Sequence, residues 1–175
     1  MRERADSERI RAFLHELGRR GRVAGRVYLT GGATAVLEGW RDSTIDVDLR
    51  FEPDNDALLQ TLPELKELLD LNVELASPPD FIPELPGWRD RSPFVVREGS
   101  LDVHHFDLYS QALSKVERGF EQDLDDVRAM IESGLVDARL ALELFARITA
   151  DLYRYPAIDA NAFEAKVRRT FAGDG

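Results

Sequence analysis

Apolar positions switch between helical and strand spacing along the chain, and each switch marks an element. Ile10, Phe13, Leu14 and Leu17 fall three or four apart and predict a helix from a cap at Asp6 or Ser7 to about Arg20. Gly18 and Gly21 bracket its end, and Arg19 and Arg20 suit its negative pole. Residues 26–30 read as a short buried strand, broken by Gly31-Gly32. Ala33, Val36, Leu37 and Trp40 then define one face of a short helix over 33–40. Residues 41–44 form a polar turn, and 45–51 a second strand. A helical region over 57–70 follows, with Pro63 expected to split it, because proline fits best in a first helical turn.

Residues 72–76 predict a third strand. Residues 77–93 hold five of the eight prolines, yet Phe81, Ile82, Leu85 and Trp88 predict an ordered loop with apolar anchors. A hairpin is expected from 94–97 and 101–107 around Glu98-Gly99-Ser100. From Tyr109 the pattern is helical. One helix stops near Gly134, the next runs from Asp137 with Leu140, Leu144, Ile148 and Leu152 inward, and a last one spans 159–171. Strands and helices alternate through two thirds of the chain, and helices alone follow. The expected fold class is α/β or α+β with a helical C-terminal region. The expected division is a domain over 1–132, including the N-terminal helix, with a helical extension over 133–175 packed on it.

Composition narrows the function. The 175 residues are 43% apolar, enough for a real core. No apolar run is long enough to span a membrane, and no hydrophobic signal region follows the start, so a cytoplasmic location is expected. The absence of cysteine excludes disulfides and thiolate metal sites. A net charge of −10 argues against broad binding to nucleic acid, which needs many phosphate contacts, but not against a local pocket for one nucleotide.

The candidate chemistry lies in Gly31-Gly32 and Asp46-Val47-Asp48, separated by a spacer of thirteen residues. The glycines stand between a strand and a helix start, where a backbone can approach an anion closely. Asp46 and Asp48 alternate with apolar residues, so on a strand both carboxylates share a face and suit Mg²⁺. A third carboxylate would complete a two-metal site. Asp102 is favoured, because an early strand position would lie opposite the pair in an antiparallel neighbour; Asp107, at the strand end, is the alternative and otherwise caps the next helix. His104 shares the Asp102 face, whereas His105 points the other way as a structural residue. Trp88 reads as a loop anchor.

The glycine pair, the spaced Asp-Val-Asp and a later apolar–Asp–apolar strand resemble the nucleotidyltransferase superfamily of the DNA polymerase β type. Leu29-Thr30-Gly31-Gly32-Ala33-Thr34-Ala35, then Arg41 and Thr44-Ile45-Asp46-Val47-Asp48-Leu49, narrow this. So do Ala112-Leu113-Ser114-Lys115-Val116-Glu117-Arg118 and Asp123-Leu124-Asp125-Asp126-Val127. Together they look like bacterial nucleotidyltransferase-like proteins akin to abortive-infection toxins. The resemblance implies a mixed sheet flanked by helices and transfer of a nucleoside monophosphate from a nucleoside triphosphate. It implies Mg²⁺ or Mn²⁺ on Asp46 and Asp48; the third carboxylate, Asp102 or in its place Asp107, would complete the metal set and help to activate the acceptor hydroxyl. Gly31 and Gly32 would sit near the phosphates, and Lys115 would pair with triphosphate or with the acidic helix that follows. Where many superfamily members carry serine, this chain has Gly32, leaving Thr30 or Thr34 to supply a hydroxyl. The acceptor stays open between RNA, protein and a small molecule. The alternative is a non-catalytic binding or regulatory subunit, such as half of a toxin–antitoxin pair with a protein partner.

Overall fold

Two compact units make up the chain: Met1–Ser77 with Ser92–Phe106, and Pro78–Arg91 with Asp107–Gly175. The computed structural model describes residues 2–173. The boundary expected at residue 132 falls inside the second unit, at the end of a helix.

The first unit is built on a mixed five-stranded sheet. Its strands are β1 (Gly25–Thr30), β2 (Asp46–Glu52), β3 (Asn72–Leu75), β4 (Phe94–Glu98) and β5 (Leu101–His105), in spatial order β3-β2-β1-β5-β4. β1 pairs antiparallel with β2 and parallel with β5, while β2 and β3 run parallel. One sheet face carries Val27, Leu29, Val47, Leu49, Phe51, Leu101 and Val103, and these join one apolar cluster with Ile10, Phe13, Leu14 and Leu17 of α1 (Ser7–Gly21). Each such side chain contributes roughly 1.5–3 kcal/mol on burial. Alternation along the strands therefore sends the charged residues of β1 and β2 to the opposite face.

Small residues let α1 sit close to the β4–β5 turn. A Cβ on Gly18 would lie 2.7 Å from the Glu98 carbonyl carbon, nearer than van der Waals contact allows. Asp6 caps α1 by accepting from Arg9 N at 2.9 Å. Just before it, Ala5 bridges Thr44 in both directions, at 2.7 and 2.9 Å, so the N-terminal arm braces the approach to β2.

α2 spans Gly32–Glu38, and α3 runs unbroken over Asp56–Leu69 with Pro63 inside. The expected split at Pro63 does not occur. Pro63 lies on the exposed face, while Leu58, Leu62 and Leu65 stay buried on both sides of it. Burial of three leucines outweighs about 3 kcal/mol for an interior proline. Arg2 Nη1 donates to Lys66 O at 2.7 Å and Arg9 Nη2 to Leu69 O, which satisfies carbonyls that a helix end leaves open.

The second unit is helical: α4 (Trp88–Arg91), α5 (Leu108–Arg118), α6 (Glu121–Glu132), α7 (Ala138–Ile148) and α8 (Ala160–Phe171), with tight 3₁₀ turns at Pro78–Asp80 and Thr149–Arg154. The proline-rich loop is ordered as expected. Ile82, Leu85 and Trp88 are buried, and Trp88 Nε1 donates to Glu84 at 2.7 Å. Phe81, expected as an anchor, is instead exposed. Tyr155 O–H ties the loop to the helices by donating to Pro79 O at 2.7 Å. Asp137 and Asp159 cap α7 and α8 through Leu140 N and Ala162 N, each at 3.0 Å. Among the described residues no helix is long and apolar enough to cross a membrane.

Candidate functional site

β1 ends at Thr30, and Gly31 turns the chain into α2 at φ +63°, ψ −129°. Side chains other than hydrogen avoid that region, so glycine is required there. The antiparallel register sets Thr30 opposite Asp48, which brings the acidic stretch of β2 to the glycine end of the sheet. A Cβ on Gly31 would stand 3.3 Å from Asp48 Oδ2. Two features thirteen residues apart in sequence are thus in contact range.

Gly32 has its own reason to lack a side chain. A Cβ there would lie 2.6 Å from Thr44 Cβ. Thr44 is held by its bridge to Ala5 and by donating its hydroxyl to Asp46 O at 3.0 Å. The serine that the resemblance would allow at this position has no room here.

Asp46 and Asp48 share one face of β2, as alternation requires. The parallel register of β2 and β3 sets Asn72 opposite Asp46 and Glu74 opposite Asp48. Asn72 Nδ2 donates to Asp46 Oδ1 and lies 3.4 Å from Glu74 Oε1. Asp48 Oδ1 is buried. The carboxylate next to the pair is therefore Glu74. Its signal was visible, because Val73-Glu74-Leu75 repeats the apolar–acid–apolar pattern on a recognised strand. Only the strand register picks it over the other acids.

Asp102 stands elsewhere. β5 is a parallel neighbour of β1, not an antiparallel neighbour of β2, so an early β5 position lies at the wrong end. Asp102 pairs with Arg26, and Arg26 with Glu52. Arg26 is four residues before Thr30, about 13 Å along the strand. Asp102 also receives Arg97 Nη1 at 3.2 Å, as part of a surface charge ladder. Asp107 is the cap of α5. Its fully buried carboxylate accepts from Tyr109 N, Ser110 N and Ser110 Oγ, and from two nitrogens of Arg91, the nearer at 2.8 Å.

Thr34 turns inward. It is buried, its Oγ1 lying 3.0 Å from His105 Nδ1 and 3.3 Å from Leu29 O. Thr30 is the hydroxyl that faces the acidic row. His105 Nε2 lies 3.1 Å from Glu38 Oε1, so one imidazole joins both ends of α2 to β5. Burial pushes the His105 pKa down to about 4, and the nearby charges of Arg11 and His104 act in the same direction. A neutral ring donates from Nε2 to Glu38 and accepts at Nδ1 from Thr34. His105 is structural, as its strand position predicts, and His104 Nδ1 meets Ser92 O at 3.0 Å.

Lys115 lies in the second unit, nearly buried, with Nζ 2.8 Å from Asp126 Oδ2 and 3.7 Å from Asp123 Oδ1. Its ammonium is committed to the acidic helix. Burial disfavours the charged form of Asp123, but the Arg118 hydrogen bond and charge, with Lys115, hold its carboxyl below the ordinary value.

Among the described residues no three Asp, Glu, His or Cys side chains converge closely enough to hold a metal ion. The row of Asp46, Asp48 and Glu74 nevertheless has the donor chemistry of a hard-cation site: oxygen only, on one face, beside a glycine turn. Mg²⁺ is commonly held by one or two carboxylates, with water and phosphate supplying the rest.

No curated protein and no solved structure matches the chain significantly. A family model does, over residues 8–171, and it covers the sheet, the acidic row and nearly all of the helical unit. The chain belongs to that family, described as nucleotidyltransferase of unknown function (DUF6036).

Proposed function

We propose that the protein transfers a nucleoside monophosphate from a nucleoside triphosphate to an acceptor, with Mg²⁺ or Mn²⁺ held by Asp46 and Asp48. The observation that carries this is the approach of Gly31 to Asp48 Oδ2, which joins a side-chain-free turn to a carboxylate pair. Glu74, opposite Asp48, replaces Asp102 as the third carboxylate. Bound metal would offset the charge of the phosphates in the transition state. The chain's own groups supply the rest. Gly31 leaves room for the phosphates, Thr30 offers a hydroxyl, Asn72 orients Asp46, and Glu74 takes the proton of the acceptor hydroxyl. The acceptor oxygen bonds to the α-phosphorus as pyrophosphate leaves.

Calorimetry with nucleoside triphosphate and Mg²⁺ tests the reading. Wild-type binding that requires Mg²⁺ and is lost in Asp46→Ala, with the fold intact, is the expected result. Binding indifferent to both would sink it. The resemblance to abortive-infection toxins supports a role in phage defence, which predicts growth arrest on expression that Asp46→Ala relieves.

A second reading, a non-catalytic binding subunit, takes its support from Lys115, which is engaged by Asp123 and Asp126. Labelled triphosphate separates the two, since only the transferase leaves label on an acceptor.

A further inference from the structure

We infer that Thr44 is a positioning residue of this site: its hydroxyl holds Asp46 beside the glycine turn, in the place from which Asp46 would meet the metal; the inference rests on the reading above. The β1–β2 register runs from Arg26 opposite Glu52 to Thr30 opposite Asp48 and ends there. Asp46 lies two residues beyond that last pair, where the chain has already turned from β1 into α2. On the β3 side Asp46 still has Asn72 opposite it, and Asn72 Nδ2 steadies its Oδ1. Along the chain, Val47 is buried in the core, whereas Ile45 is 57% exposed and anchors nothing. The buried residue that precedes Asp46 is Thr44, 6% exposed.

Three sets of contacts meet at Thr44. Its backbone exchanges two hydrogen bonds with Ala5, from Ala5 N to Thr44 O at 2.7 Å and from Thr44 N to Ala5 O at 2.9 Å. Its hydroxyl donates to Asp46 O at 3.0 Å. Its side chain lies against the glycine turn, since a Cβ on Gly32 would stand 2.6 Å from Thr44 Cβ and 3.3 Å from Thr44 Cγ2. The N-terminal arm that grips Thr44 is itself fixed. Arg4 Nε donates to Ser43 Oγ at 2.7 Å and Arg4 Nη2 to Ser43 O at 3.1 Å, and Asp6 caps α1. One hydroxyl thus ties the Asp46 backbone to a point held by the arm and by Gly32. Asn72 steadies the Asp46 carboxylate, and Thr44 its peptide group. Mg²⁺ demands near-ideal octahedral geometry, so a ligand that shifts with its backbone loses affinity. Valine would fill the space of Thr44 and donate nothing.

Mn²⁺ binding followed by electron paramagnetic resonance, and tripolyphosphate binding with Mg²⁺ followed by calorimetry, test this without an acceptor. Thr44→Val keeps the branched shape and removes the hydroxyl. It is expected to weaken Mn²⁺ binding roughly 10- to 100-fold, the range for outer partners of metal ligands, and to weaken tripolyphosphate binding with it. Thr44→Ser keeps the hydroxyl and should bind close to the wild-type affinity. Thr44→Ala, which also lacks the hydroxyl, serves if Thr44→Val fails to fold. Melting temperature is recorded for each variant. Affinity that follows the hydroxyl, retained in Thr44→Ser and lost in Thr44→Val or Thr44→Ala, is the expected result. Mn²⁺ affinity unchanged in the variant without a hydroxyl overturns the inference alone. So does a loss in Thr44→Ser equal to that in Thr44→Val, with affinity tracking melting temperature, which marks a merely structural role. Wild-type protein that takes no Mn²⁺ removes the metal site proposed above, and this inference with it.

Discussion

The two ends of the polar sheet face use the same residue types to opposite ends. At the far end, Glu52, Arg26, Asp102 and Arg97 stand in register across four strands, acid and base alternating. Each carboxylate there meets a guanidinium, and the row is electrically closed. At the Gly31 end, Asp46, Asp48 and Glu74 adjoin one another across β2 and β3, with Asn72 as a neutral donor and a glycine turn beside them. Like charges gathered on one face destabilise each other. In the proposed function a divalent cation joins that row. A carboxylate's cross-strand neighbours, more than its sequence pattern, separate a structural acid from a candidate ligand.

That contrast can be broken most sharply at Asp48. Asp48→Asn removes a charge from the row while keeping the shape of the side chain. Mg²⁺-dependent nucleotide binding should fall by at least roughly 10²-fold, given the several kcal/mol a metal contributes to phosphate charge, as measured by calorimetry. Thermal stability should hold or rise, because repulsion is relieved.

Acid should unsettle the Gly31 end next. His105 ties α2 to β5, and its pKa is lowered to about 4 from 6.5. Between those values the unfolded chain binds a proton that the folded chain refuses. Stability is therefore full above pH 6.5 and falls as pH drops towards 4. The 2.5-unit difference amounts to at most about 3 kcal/mol. Glu38, at 3.1 Å, favours the protonated ring and offsets part of this. Chemical denaturation at pH 7 and pH 4.5 measures the loss, and His105→Gln should flatten it.

Glu74→Gln sharpens the comparison further. If Glu74 belongs to the site, nucleotidyl transfer should slow roughly 10- to 100-fold, the range for residues that support a metal centre. Asp102→Asn should do least. It removes one partner of the partly exposed Arg97 contact, worth about 0.2–1 kcal/mol, and should leave turnover unchanged. A reversal of these two effects in the same transfer assay would return Asp102 to the site.

Much of the fold was legible because its signals are local. Helical spacing found α1 and the C-terminal helices, and period-two alternation found the strands. Asp46-Val47-Asp48 announced a shared face, and Gly31 its turn. Pro63 misled because a local rule met tertiary burial on both sides of it. The placement of Asp102 misled for a different reason: its apolar–acid–apolar strand is present, but which strand it lies beside is set by partners distant in sequence. Lys115 meets the acidic helix that follows it, one of its two expected partners.

The sequence by itself determined the elements, the paired carboxylates on one strand face and the glycine turn, since dihedral preference and side-chain alternation act over a few residues. Only the tertiary structure decided that β5 lies parallel beside β1, that β3 lies parallel beside β2, and hence that Glu74 rather than Asp102 stands by Asp48. Strand order and register come from burying one apolar face across the whole sheet. No short stretch of residues encodes that sum.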